Sequence, residues 1–203
     1  ARCGFQPASV ANVARAAGVS VGVIYKYFGD KQSLFLACVR HSLELLDATL
    51  REAVPEGADA ETSIRALVPA LIAAARQHGN YNVLYNEITS GSCREFAPEL
   101  AREIESRTAQ LYTRLFETAK EAGALAPGLA PEAAAFFFDN LLMMLQFSYS
   151  CDYYQHRMRL YCGEPSAAQD AWMTEQLTHF ILSVMKGDRP CNISLPTTSE
   201  PPA

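Results

Sequence analysis

"GVSVGVIYKYFGDK", Gly18 to Lys31, decides how the rest of the chain is read. Two glycines four residues apart, two tyrosines bracketing a lysine, a phenylalanine and a closing lysine stand together in a protein of net charge -5. Ser20 occupies an N-cap position and opens a short helix that runs to about Phe28. "GDK" ends that helix, and Asp30 caps the next one. Just upstream, "SVANVARAA" (9–17) places a capping serine ahead of apolar residues at 10, 13, 14 and 17, and Gly18 stops it. Two short helices joined by "GVS" make a helix-turn-helix, a motif whose second helix enters the DNA major groove.

Each residue of the motif has a physical part in that reading. Ala14 and Ala17 are small enough for the helices to cross closely, and Val10, Val13, Val19, Ile24 and Phe28 are expected to form a miniature core. Gly22 sits inside a helix, where glycine costs about 1 kcal/mol against alanine. Close approach of the backbone to DNA is a return for that cost. Tyr25, Tyr27 and Lys31 are placed to meet phosphates, Lys31 at a helix N-terminus that already favours an anion. Val21 and Val23 sit where base contacts are expected, and they touch a thymine methyl without reading a donor pattern. Specificity then rests on Lys26, backbone approach and DNA shape. With Ser9 and Ser20 these make the candidate DNA-binding set. The plainer readings are half-buried aromatics at Tyr25 and Tyr27, a solvated charge at Lys26 and a simple cap at Ser20.

The longer stretch "GFQPASVANVARAAGVSVGVIYKYFGDKQSLF" (4–35) closely resembles the DNA-binding end of the TetR/AcrR family of bacterial transcriptional regulators. Gly4, Phe5, Ser9, Val10, Val13, Ala14, Ala17, Gly18, Val19, Ser20, Gly22, Tyr25, Tyr27, Phe28 and Lys31 fit its pattern. The resemblance implies an all-helical homodimer with three N-terminal helices on operator DNA and a helical body that binds a small molecule. It also implies that the last two long helices form a four-helix bundle across the dimer. A further helix is implied ahead of Gly4, and the residues from Ala1 supply little of it.

Composition agrees with a soluble globular protein: 203 residues, 49% hydrophobic and 19% charged. No apolar run reaches bilayer-spanning length, and no signal-peptide pattern opens the sequence, so a cytoplasmic protein without membrane contact is expected. The six cysteines lack C-x-x-C spacing, which suits free thiols better than a disulfide framework or a zinc site. Charge is uneven: residues 1–31 hold Arg2, Arg15, Lys26 and Lys31 against Asp30 alone, although acidic residues outnumber basic ones 22 to 17 overall. A basic end on an acidic body points to a polyanion at that end only.

Helical patterns fill the remainder, and no alternating strand is evident. A helix over Lys31 to about Ala53 presents Leu34, Cys38 and Leu45 inward. Further helices are predicted over "TSIRALVPALIAAARQHG", bent at Pro69, over "NYNVLYNEITSG", and over roughly Pro98–Ala122 with Ile104, Leu111, Leu115 and Ala119 at helical spacing. One very apolar helix is expected from Pro131 to about Tyr161 and a last one over about Ser166–Lys186. The division expected is 1–45 for the DNA-binding domain, 46–187 for the ligand-binding and dimerisation domain, and 188–203 for a Pro/Ser/Thr-rich tail.

The body carries no G-x-S-x-G, H-E-x-x-H or P-loop pattern, so no catalytic residue, cofactor or metal is assigned and an enzyme is not expected. "FFFDNLLMMLQFSYS" (136–150) reads either as core plus dimer seam or as the wall of a ligand pocket, since methionines and aromatics fit irregular apolar molecules. Candidate ligand contacts are Tyr81, Tyr85, Tyr112, Phe116, Phe137, Asn140, Met144 and Phe147, with Asn82 beside the first two; Leu177, Phe180, Ile181 and Val184 stand near the dimer seam. The leading expectation is a repressor released from double-stranded operator DNA by a small hydrophobic or aromatic ligand. The alternative is a redox-sensing regulator using Cys38, Cys93 or Cys151.

Overall fold

The computed structural model describes residues 8–89 and 97–187, and every regular element among them is helical. Three helices form the N-terminal head: α1 (Val10–Ala16), α2 (Val21–Phe28) and α3 (Lys31–Ala53). The body is built from α4 (Ala60–Gln77), α5 (Gly79–Thr89), α6 (Ala97–Glu121), α7 (Pro131–Ser150), α8 (Asp152–Cys162) and α9 (Ala167–Lys186). α3 belongs to both parts, running unbroken from the head across residue 45 into the body. The expected tail from 188 onward, with Cys191, lies outside the described residues, as do Cys3 and Cys93.

The head is held by a small cluster of Val10, Ala14 and Ile24, with Leu34 packed against it. Ala14 is 1% exposed and marks the close crossing of α1 and α2. Of the other expected core members, Val13, Val19 and Phe28 stay 37–40% exposed, and Ala17 is exposed at the C-cap of α1. Two helices this short that cross at a single alanine bury only one residue row each. Gly18 (φ 68°) and Gly29 (φ 78°) supply the left-handed turns that end α1 and α2. Ser20 accepts a bond from the Val23 N–H at 3.2 Å, and Asp30 accepts one from the Ser33 N–H at 2.7 Å.

The buried residues of α3 are Phe35, Val39 and Leu50; of the expected inward row, Leu34 packs against the head cluster, Leu45 is half-buried and Cys38 is exposed. Phe35 and Val39 pack with Ile88 of α5, whereas Leu50 joins the main core. That core centres on α4, where Ile64, Leu67, Val68 and Leu71 are fully buried, and gathers Tyr112, Phe116, Phe138, Leu142, Ile181 and Met185 around them. α4 passes Pro69 without interruption; the ring lies on the exposed face. Arg76 of α4 forks onto Asp170 of α9 with bonds of 2.7 and 3.1 Å, and its guanidinium lies 4.8 Å from the centre of the Tyr149 ring.

The single helix expected over Pro131–Tyr161 is two. α7 ends at Ser150, Cys151 turns extended (φ -108°, ψ 130°), and α8 starts at Asp152. The end of α7 is held by the body. The Ser150 hydroxyl donates to the Ala75 carbonyl and accepts from the Asn82 amide at 2.9 Å, and the buried Cys151 thiol points to the Asn82 carbonyl. Ser148 also bonds back onto the Met144 carbonyl, a contact that favours bending. α8 packs Met158 against the core and Tyr154 on Phe147, and leaves Tyr153, Leu160 and Tyr161 74–87% exposed.

Candidate nucleic-acid interface and ligand cavity

The exposed side of α2 carries the sequence-predicted reading set as one surface. Ile24 alone of that helix is buried, so Val21, Gly22, Val23, Tyr25, Lys26 and Tyr27 all face outward. Tyr25 is 48% and Tyr27 76% exposed, which removes the half-buried alternative for Tyr27. A Cβ added at Gly22 would meet only the Ser20 hydroxyl, at an ordinary 3.8 Å. The fold therefore does not require glycine there. The Ser20 oxygen accepts the cap bond, which leaves its O–H able to donate, whereas Ser9, at the N-cap of α1, is exposed and makes no side-chain cap bond. Lys31 is the first residue of α3, beside the capping Asp30, whose carboxyl is held below its usual range chiefly by the Ser33 N–H. The surface thus combines a glycine-thinned backbone, two tyrosine hydroxyls, lysines at 26 and 31, and two valines.

The second site is a partly open cavity of about 60 Å³ lined by α3, α5, α6 and α7. Four of the sequence-predicted contacts meet there, Tyr81, Tyr85, Tyr112 and Phe147, with the Tyr85 and Phe147 rings 5.7 Å apart. The other four lie elsewhere. Phe116 is buried against Phe138 and, with the 58% exposed Phe137, borders an apolar groove toward Phe180 and Val184. Asn140 donates to the Phe136 carbonyl of its own helix at 2.7 Å, and Met144 is half-buried outside the lining.

Helical rotation explains the division. The cavity face of α7 is Asp139, Met143, Gln146 and Phe147, spaced i, i+4, i+7 and i+8. The opposite face carries Phe137, Leu141 and their groove. Asn82, nominated beside Tyr81 and Tyr85, and Met143, on the α7 face of Phe147, also line the cavity, whereas sequence reasoning missed Asp139, Gln146, Thr108 and the α3 residues Ser42, Leu43 and Leu46. The available signal was Asp139, a charge interrupting an apolar run. Beside the cavity, the Asp47 carboxylate of α3 accepts from Arg107 of α6 at 3.0 Å.

The expected seam residues divide in the same way. Phe180 and Val184 are 53% and 55% exposed, but Ile181 is 6% exposed and packs into its own core, with Leu177 partly buried against it. Among the described residues no cluster of His, Cys, Asp or Glu could hold a metal ion, and no helix is long and apolar enough to cross a membrane. Burial pushes the Cys151 thiol up to about 11, and partial desolvation raises Cys38 as well.

Residues 1–38 match the family described as bacterial regulatory proteins, tetR family. The transcriptional regulator BetI of Paraburkholderia phymatum is 32% identical over 140 residues, covering 68% of this chain and 70% of that protein. This chain belongs to the tetR family of bacterial regulatory proteins. BetI of Paraburkholderia xenovorans is 34% identical over 113 residues, which span 55% of this chain and 57% of that relative. Solved structures extend the likeness in fold over the tetR body. A regulatory protein of the tetR family from Rhodococcus RHA1 superposes with a TM-score of 0.68 at 19% identity, covering 91% of this chain and 89% of that one. The ketosteroid transcriptional regulator KstR2 of Mycobacterium tuberculosis gives 0.64 at 19%, covering 89% and 86%. AibR, solved with isovaleryl coenzyme A and operator DNA, gives 0.58 at 14%, covering 89% and 88%.

Proposed function

We propose that this tetR-family protein is a ligand-responsive repressor that binds operator DNA through α2 and its flanks and takes up a small molecule in the α3/α5/α6/α7 cavity. The observation that carries the reading is α3. The helix begins at Lys31, directly behind the reading helix, and about three to four turns later lines the cavity with Ser42, Leu43 and Leu46. A molecule that displaces this part of α3 also tilts the head. At about 60 Å³ the cavity is far below the 300–1,000 Å³ usual for ligand sites, so a ligand has to spread its walls. DNA contacts are assigned to Ser9, Ser20, Val21, Gly22, Val23, Tyr25, Lys26, Tyr27 and Lys31, and ligand contacts to Tyr81, Tyr85, Tyr112 and Phe147. A related fold, AibR, is described with both a coenzyme A ester and operator DNA. The active form is a homodimer joined through the exposed Phe137, Leu141, Phe180 and Val184, which sets two heads about one helical turn of DNA apart. Redox sensing finds no support at Cys151 or Cys38, since both thiols are raised rather than activated.

The test is to select a duplex from random DNA and follow its release by fluorescence anisotropy while screening compounds that raise the melting temperature. Compounds that stabilise the protein should also weaken DNA binding. Stabilising ligands that leave DNA affinity unchanged would reject the repressor reading.

A further inference from the structure

The cavity holds a chemical signature that its aromatic residues alone do not convey. One carboxylate, Asp139, stands in its wall, and among the described residues lining it there is no Lys, Arg or His. The same lining carries hydroxyl groups from α3, α5 and α6 and the Gln146 amide, two turns beyond Asp139 on its helix. Asp139 already engages the protein, but a carboxylate has about four lone-pair sites and can accept further N–H donors.

Resting on the ligand-site reading above, we propose that this cavity selects a protonated amine, its ammonium group donating to Asp139 and its carbon portion lying against Tyr85, Phe147 and Met143. Four physical points converge on that class. A ligand without an N–H or O–H donor gives the remaining lone pairs of Asp139 nothing in exchange for solvent. An anion meets repulsion from the same group. A cation gains from the carboxylate and from aromatic faces, two of which, Tyr85 and Phe147, stand 5.7 Å apart here. A fully alkylated ammonium has the charge but no N–H for Asp139 or the hydroxyl oxygens, so the polar lining favours a donor-bearing head. Size agrees, because about 60 Å³ admits a compact ammonium head and little more, while Met143 is a flexible side chain that can swing aside for a carbon tail.

Calorimetric titration of the full chain at neutral pH with four probes tests this: 2-phenylethylamine, its N,N,N-trimethyl derivative, 2-phenylethanol and phenylacetate. The amine should bind at least tenfold more tightly than each of the others. Asp139→Asn should erase that preference, with 2-phenylethanol binding at least as tightly as to the parent, and a circular-dichroism melt close to the parent's reports that the variant is folded. The proposal is overturned if the alcohol or the trimethyl derivative matches the amine, if no probe binds, or if Asp139→Asn keeps the preference. Met143→Trp, which fills the cavity, separates the two levels. Loss of binding for every probe supports the site itself, and binding that survives it rejects the cavity as the ligand site whatever the preference.

Discussion

Asp47 of α3 accepts a hydrogen bond from Arg107 of α6 at 3.0 Å and is also paired with Arg51 one turn along its own helix. The contact links the helix that enters the head to a helix that walls the cavity. Arg107 is 63% exposed, so solvent screens the pair and Arg107→Ala should change stability by less than about 1 kcal/mol. Its effect should appear in coupling: the ligand concentration needed for half-release of DNA should move by at least threefold, with the melting temperature almost unchanged. Equal release curves for parent and variant would leave the ion pair without a role in transmission.

Gly22 separates folding from recognition. Alanine at this position meets nothing closer than the Ser20 hydroxyl at 3.8 Å, and it removes glycine's entropic cost in a helix. Gly22→Ala should therefore stabilise the protein by about 0.5–1 kcal/mol by chemical denaturation. The same methyl group would stand between the α2 backbone and DNA, so affinity should fall at least tenfold. A variant that is more stable and binds DNA unchanged would show that no close backbone approach occurs.

Lys31→Ala addresses the phosphates. The substitution should weaken binding to all sequences alike and make the log–log salt slope shallower by about one unit for each phosphate left without its lysine. Tyr25→Phe should do smaller harm of the same kind, because it removes one hydroxyl donor. Titrations at several salt concentrations with a selected and a scrambled duplex provide the measurement, and an unchanged slope argues against a phosphate partner for Lys31.

The head was legible because its signals are local. Caps at Ser20 and Asp30, stops at Gly18 and Gly29, and the crossing at Ala14 all act within a few residues, and each stands where the spacing placed it. The cavity was legible only in part, because it needs four helices to meet. Tyr81, Tyr85, Tyr112 and Phe147 could be nominated as aromatics on the right helices, but the rotation of α7 that turns Asp139, Met143 and Gln146 inward depends on packing against α4 and α6. The break at Cys151 was hidden for a similar reason. Ser150 finds its partners at Ala75 and Asn82, roughly seventy positions away in the chain, and no local pattern announces them.

Cys151 gives a prediction in pH. Its thiol ionises only at about 11 in the folded protein, against an ordinary value of 9.0, because burial disfavours the thiolate. The unfolded chain loses this proton first, so the group's contribution to stability is complete below about pH 9 and is lost as pH climbs toward 11. Labelling of native Cys151 with a thiol reagent, followed by peptide mapping, should be slow at neutral pH and unaffected by prior peroxide. Rapid modification there, or DNA release by peroxide that Cys151→Ser abolishes, would restore the redox reading for this residue.

The surface of α7 and α9 permits one test in which two adjacent residues give opposite results. Phe180 is 53% exposed and shares an apolar groove with Phe137, Leu141 and Val184, whereas Ile181 is 6% exposed and packs with Leu182 and Met185 in its own core. If the groove is the dimer seam, Phe180→Asp places two charges in an apolar interface and should give a monomer at micromolar concentration by sedimentation. The monomer should remain helical by circular dichroism, since Phe180 contributes little to the protomer's interior. Ile181→Ala should instead lower protomer stability by about 2–5 kcal/mol through loss of packed volume, while sedimenting as a dimer below its melting temperature. DNA affinity should follow assembly, falling sharply in Phe180→Asp and little in folded Ile181→Ala, because one head alone reads only half a site. A Phe180→Asp protein that remains dimeric would move the seam elsewhere, and the exposed face of α8, with Tyr153, Leu160 and Tyr161, would be the next surface to substitute.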